Sequence, residues 1–385
     1  MRAPPLSSIG EVVEPVSSWT PQRDNPRGMF TYIDLSAVDQ DAKIVSGARK
    51  LACSEAPSRA RQLVRAGDVL VSTVRPNLNG VARVPTEFDG ATASTGFCVL
   101  RPRAAQLDGR YLYQWVKSPP FVSDMAGKAT GASYPAVSDR IVCESKLPLP
   151  PLPEQRRIAE ILDKGDALRA KRRQALAQLD TLSQSIFVEM FGHPATNPRR
   201  WPSRRLDTLC ALVNGRAFKP EEWERDGLPI IRIQNLNDPT KPFNYTTRSM
   251  PERFRVRPGD VLFSWSGTPG TSFGCFRWNG SEGWLNQHIF NVRLNGSIDS
   301  ASFIAQINLK LSELIAKAHG GVGLQHVTKG MVVETTLMIP PRSLQAEFAR
   351  RVALLDYLVG RQSAAQEELE ELFASLQHRA FRGQL

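Results

Sequence analysis

Cysteine is scarce and scattered along the chain. The five residues Cys53, Cys98, Cys143, Cys210 and Cys275 include no Cys-x-x-Cys pair, which argues against a disulfide framework or a zinc ribbon and for reduced, mostly buried thiols. Histidine is equally sparse: His193, His288, His319, His326 and His378 make no short-spacing metal pattern with those cysteines. A phosphate-cradling Gly-x-x-x-x-Gly-Lys-Ser/Thr loop, a dinucleotide fingerprint and a His-Glu-x-x-His motif are all missing. A metal-dependent nuclease needs clustered carboxylates beside the scissile phosphate. Asp68 and Asp260 each follow a glycine before an apolar run, without the spaced acid and lysine of such a site, and they read as turn formers. No run approaches 18 uninterrupted apolar residues, which argues against a membrane span. The opening MRAPPLSSIGEVVEP has no apolar core of a secretory signal. The expectation is a cytoplasmic protein with no catalytic apparatus, cofactor or metal of its own.

What is present is charge and size. The 385 residues suit two domains with connectors, and 41% hydrophobic with 23% charged residues describes a folded chain. A formal charge of +11 and a pI near 9.7 favour a polyanionic partner: DNA, RNA or an acidic membrane surface.

The chain also repeats itself. Gln62–Leu70 (QLVRAGDVL) resembles Phe254–Leu262 (FRVRPGDVL), and Leu147-Pro148-Leu149-Pro150-Pro151 matches Leu337-Met338-Ile339-Pro340-Pro341. Gln155 answers Gln345, and 182–191 answers 372–381, at an offset of about 190 residues throughout. Each copy has two parts. The first, 1–150 and 193–340, reads as short strands and loops, with strands at 30–35, 68–72, 97–100, 229–233, 260–264 and 289–292. Helical spacing occurs at 109–119 and 302–317.

The second part of each copy, 151–192 and 341–385, takes a helical period over 154–191 and 343–381. Pro153-Glu154 suits the start of the first helix, and Gly192 with Pro194 suits its end. Ile161, Leu168, Ala175 and Leu182 recur every seven residues. Ile158, Leu179 and Ile186 make a second seam that Gly165 and Arg172 interrupt. In the partner helix Phe348, Val352, Leu355, Val359, Leu369, Leu372, Leu376 and Ala380 fall on or near one face. A lone helix on the order of 55–60 Å long needs something to pack on, and the other copy supplies it. The fold expected is α+β: two mixed α/β domains separated by a long antiparallel two-helix coiled coil in a pseudo-two-fold repeat.

Pro150–Asp163 (PPLPEQRRIAEILD), its weaker copy Ile339-Pro340-Pro341-x-x-Leu344-Gln345, and the segments Ala66–Leu70, Ser94–Phe97 and Trp201–Leu209 closely resemble the specificity (S, or HsdS-type) subunit of Type I restriction–modification systems. The resemblance spans essentially the whole chain. It implies two target-recognition domains alternating with two helical regions, each domain reading one half of a split, asymmetric DNA target. It also implies two modification subunits that methylate adenine with S-adenosylmethionine, and restriction subunits that use ATP and Mg. The chain departs from the pattern at Arg342–Glu347, which replaces the Leu152–Arg157 form, and in lacking at its start the counterpart of Trp201.

Within such heads, polar loop residues after equivalent strands are the expected DNA contacts. They are Arg75, Asn77, Asn79, Lys128, Ser133 and Tyr134 in the first head. In the second they are Trp265, Ser266, Thr268, Gln287, His288 and Gln325. The different chemistry of the two clusters implies different half-sites. The run 169–173, rich in Arg and Lys, fits DNA, an acidic partner or a merely solvated face. Two rival readings remain at this stage: a non-DNA docking module of another complex, and an enzyme with a dispersed metal site.

Overall fold

The computed structural model describes residues 4–131, 133–238, 241–267, 272–316, 319–321, 324–326 and 328–385. The chain forms two compact units, Met1–Gln174 with Ser363–Leu385, and Ala175–Gln362. Each contains one globular head, one part of the central helix Leu152–Phe191 and one part of the C-terminal helix Arg342–Phe381.

In the first unit, one four-stranded sheet runs in the order Arg49–Ala52, Met29–Ile33, Thr92–Ser94, Ala60–Leu63. The other runs Val13–Glu14, Phe97–Pro102, Val69–Ser72, Val81–Arg83. Ile33, Val64, Leu70, Val84 and Phe97 are fully buried in one core cluster of this head. The helix Gly109–Val116 carries Tyr111, Leu112 and Trp115 into the core that also takes in Ile158, Ala159 and Leu162 of the central helix. The strand at 29–33 ends earlier than the apolar run suggests. Asp34 turns inward and accepts the N–H groups of Ser36 and Ala37, so Leu35 begins a short 3-10 turn. The helical spacing at 109–119 resolves into two helices, because Ser118-Pro119 starts a second, Pro119–Lys128.

The second unit has the same strand order. Asn244–Thr246, Leu228–Ile231, Gly283–Leu285 and Arg255–Val256 form one sheet; Cys210–Asn214, Ile289–Leu294, Val261–Ser264 and Gly274–Arg277 form the other. Both heads contain the same parallel pairing, Thr92 opposite Tyr32 and Ile230 opposite Trp284. The expected strand 229–233 stops at Ile231, and Ile233 opens the helix Ile233–Asn237.

Two local devices recur. The Gly-Asp turn places Gly67 and Gly259 at φ +91° and +92°, where a side chain would be strained. The carboxylates then accept the backbone N–H of Arg65 and Arg257. The second device sits at the head of each long helix. Gln155 Oε1 accepts the N–H of Asp108 at 2.9 Å while its Nε2 donates to Pro150 and Gln106 carbonyls. Gln345 does the same with the N–H of Asp299 at 2.7 Å and the carbonyl of Pro340. Asp108 and Asp299 themselves cap the head's own helices, Gly109–Val116 and Ser300–Leu309. The departure at 342–347 leaves this function intact.

The long helices form over the ranges their periodicity predicts, and Gly192 at φ +84° terminates the first. The phase of their seam differs from the expectation. Leu168 is 57% exposed, Leu182 38% and Leu372 54%, and Ala175 is exposed as well. Ile161, Leu179, Ile186, Val352, Leu355, Val359, Leu369 and Leu376 are half-buried, and Ile158 is fully buried. In the first unit the buried partners are Ile158, Ala159 and Leu162 with Phe373, Ala380 and Phe381. Gly165 leaves room for the Phe373 ring: a Cβ there would stand 2.8 Å from it. Arg169 lies over that ring, 4.2 Å from its centroid, and pairs with Asp166 and Glu370. In the second unit Phe187, Phe191 and Phe348 form an aromatic triad with centroids 4.7–5.7 Å apart, joined by Ala301 and Ala305 from the head. Gly165, one of the two residues that interrupt the apolar seam in sequence, is therefore the one that accommodates an aromatic ring of the other helix.

Truncating Phe373 to alanine removes a buried ring from this contact, and we expect a loss of about 3–5 kcal/mol. Leu168→Ala should change stability by less than about 0.5 kcal/mol. Denaturant unfolding of the full chain, followed by far-UV circular dichroism, checks the contrast.

Candidate nucleic-acid interface

In the first head, the loop after the strand Val69–Ser72 is held in an unusual conformation. Arg75 and Asn79 both adopt left-handed backbone, at φ +51° and +48°, flanking the short turn Pro76–Leu78. Backbone bridges Val74 to Ala136 and Thr130 to Ala136 tie this loop to the Gly-rich segment, and Arg75 N–H donates to Pro135 at 2.7 Å. Two sequence clusters thus become one surface. The Arg75 guanidinium lies 4.8 Å from the centroid of the Tyr134 ring, itself 69% exposed. Asn77 and Ser133 are exposed beside them. Asn79 faces inward, its amide 3.4 Å from the Lys117 carbonyl and its own carbonyl accepting from Lys43. Lys128 is engaged by Asp124 at 2.7 Å.

The second head brings the equivalent segments together. Ser266–Gly267 pairs with Leu324–His326, which pairs with His319–Gly321, so Gln325 stands opposite Gly267. Ser266 is 4% exposed, which removes its side chain from the outer surface: as the first residue of a paired strand it turns into the head. Trp265 is half-buried, its ring stacked on Phe290 at 5.5 Å and edge-on to His288 at 5.4 Å. Gln287 is exposed. Thr268 lies outside the described residues, as does the side chain of Gln325.

Sequence reasoning missed a concavity of this head. A cleft of about 840 Å³ runs from Gln287 and His288 to Phe218, Trp223, Arg232 and Gln234. Trp223 is 41% exposed, and the Arg232 guanidinium lies 5.6 Å from its ring centroid. The signal in the sequence is aromatic residues interleaved with arginines between 216 and 232, ahead of the loops that follow the equivalent strands.

Among the described residues no group of three or more His, Cys, Asp or Glu is placed to hold a metal ion, and no helix is long and apolar enough to cross a membrane. Asp68 is buried in a two-pronged ion pair with Arg101, at 2.9 and 2.7 Å, as a structural element of its turn. Asp260 instead accepts from the Asn291 amide at 2.8 Å. The run 169–173 is committed in part to the helix contact, since Arg169 and Arg173 both reach Glu370. All five cysteines are free. The Cys98 thiol donates to Cys143 and lowers it to about 7, while burial pushes Cys275 up.

Residues 63–179 and 198–371 match the Type I restriction modification DNA specificity domain. The chain belongs to that family. It is 27% identical over 147 residues to the Type I restriction enzyme EcoDI specificity subunit of Escherichia coli, a match covering 37% of this chain and 31% of the relative. The matched segments span between 30% and 41% of the length of the curated relatives. Among solved structures, one from a study of complex assembly and conformational transition in the Type I R-M system aligns over 100% of both chains, with a TM-score of 0.62 and 26% identity. The S subunit of a Type I restriction-modification system from M. genitalium shares the fold, with a TM-score of 0.54 over 98% of this chain and 96% of that one, at 13% identity.

Two outcomes follow. Arg75→Ala in the assembled complex should weaken duplex binding and lower the slope of log affinity against log salt by about one. Lys128→Ala, already neutralised by Asp124, should leave both nearly unchanged in a salt titration. Alkylation by iodoacetamide should reach Cys143 first, with a rate rising through about pH 7, and spare Cys275; peptide mapping reads the order.

Proposed function

We propose that this chain is the DNA-specificity subunit of a Type I restriction–modification complex, reading a bipartite, asymmetric target with one half-site per head. The observation that carries the reading is the repetition of one head-and-helix unit, with the same strand order and the same glutamine latch, whose exposed loops differ in chemistry. Equal scaffolds with unequal loops suit two unlike half-sites. The net charge of +11 supplies the sequence-independent attraction to phosphates.

In this reading the two long helices run as an antiparallel coiled coil related by a pseudo-two-fold, and their length sets the spacer between half-sites. Their outer faces dock two modification subunits, which supply S-adenosylmethionine and the methylation chemistry on an adenine flipped from the stack. Restriction subunits using ATP and Mg join that assembly in the cytoplasm. The chain itself does no chemistry: its part is to bind and orient. Arg75, Asn77, Ser133 and Tyr134 form the reading surface of the first head. Gln287 and His288 serve the second, with Trp265 as packing support.

The test is mapping of modified adenine in genomic DNA from cells that contain the modification subunit, with and without this chain. Methylation at one split, asymmetric motif that disappears on deletion is the expected result. A methylome unchanged by deletion, with the modification subunit active, would overturn the reading in favour of a docking role away from DNA.

A further inference from the structure

The two heads share a scaffold but differ at one corner, where the sheet containing the parallel strand pair meets the loop after it. In the first head this corner is filled. Asp34 caps the turn that follows and pairs with Arg49, and Leu35 lies against Gly96, where a Cβ would stand 2.9 Å from the leucine side chain. The strand pairings bring Arg232 to the position of Asp34, and His288 to that of Gly96. Charge is reversed at one position, and the glycine that admitted Leu35 is replaced at the other. The corner of the second head opens into the cleft between Trp223 and Gln287.

That cleft has the chemistry of a base-reading site. Arg232 is held with its guanidinium over an indole face, within the range of a cation–π contact. No carboxylate pairs with it among the described residues. Arg216 lies 4.9 Å from the centroid of the Phe218 ring in the cleft wall and is itself paired with Glu222. A guanidinium positioned by stacking keeps its planar fork available for the O6 and N7 acceptors of guanine. Gln287 also lines the cleft and is exposed, and Gln234 donates one amide N–H to Pro242. Glutamine amides match the donor and acceptor pair of adenine.

We propose that the second half-site is read in this cleft, with Arg232 and Gln287 as specificity-determining residues and Trp223 as the residue that positions Arg232. The first half-site is read instead on the protruding Arg75–Tyr134 surface. One head receives the duplex edge in a recess, and the other projects into it. The inference rests on the DNA-specificity reading above.

The experiment maps modified adenine in cells carrying the modification subunit with the wild-type chain, R232A, Q287A or no chain. The expected result is a motif in which R232A and Q287A each relax one or two positions of the same half-site, by about tenfold or more in discrimination. The other half-site and the spacer stay fixed. An unchanged motif in both variants, at full or reduced methylation, would overturn the inference, since a residue that touches only phosphate lowers occupancy without changing the sequence read. If R232A is not recovered in the complex, Q287A decides alone, because its exposed side chain can be truncated without disturbing the core. Wild-type methylation that does not depend on the chain defeats the broader reading. Dependence on the chain with an unchanged variant motif defeats only this one.

Discussion

The amide side chain at the start of each long helix joins three pieces of backbone that would otherwise be independent. Gln155 and Gln345 each accept from the residue that caps the head's principal helix and donate to the proline carbonyl just before the long helix begins. An amide is suited to this place because it offers a donor and an acceptor on one rigid plane. Both glutamines are almost wholly buried, so losing either bond would strand a backbone group away from water. Head orientation relative to its own helix segment follows from this one residue. The surfaces offered to a partner depend on that orientation in turn.

Below the latch the two units are held by different means. In the first, Gln114 and Lys117 of the head reach Asp163 and Asp166 of the central helix, and burial holds the Lys117 pKa below its ordinary range against the opposing pull of Asp166. In the second, Ala305 and Leu309 join Phe187 and Phe348 in an apolar cluster. The Gly-Asp turns differ in the same way: Asp68 is answered by buried Arg101, Asp260 chiefly by Asn291. The backbone plan is common to both copies while the side chains that secure it are not.

Much of this was legible from the residues. The helix boundaries and the Gly-Asp turns followed from local chemistry, because proline and glycine act within a few residues of themselves, and the correspondence of Gln155 and Gln345 followed from the repeat. The seam phase was not legible. An apolar stripe was sought, yet Gly165 and Arg169 occupy the contact, where absence of a side chain admits Phe373 and a guanidinium covers it. Their role exists only in the presence of a segment some 200 residues away. The first-head surface could be listed residue by residue, but its coherence came from bridges at Val74, Thr130 and Ala136. The cleft of the second head escaped because its walls come from four separate segments, and no linear pattern joins Phe218 to Gln287.

The unequal way in which the heads are secured bears on how such a chain can change over generations. A duplicated unit invites exchange of its parts, since the strand order and the latch would accept either head. The contacts beneath the latch would not. A copy of the second head grafted onto the first position would bring Ala305 and Asn308 where Gln114 and Lys117 stand, leaving Asp163 and Asp166 without those partners, and the reverse graft would set Gln114 among phenylalanines. Each head has become specific to its seat, so new targets are more readily acquired by rewriting loops in place, or by importing a head that occupied the same seat in a relative, than by shuffling the two within one chain.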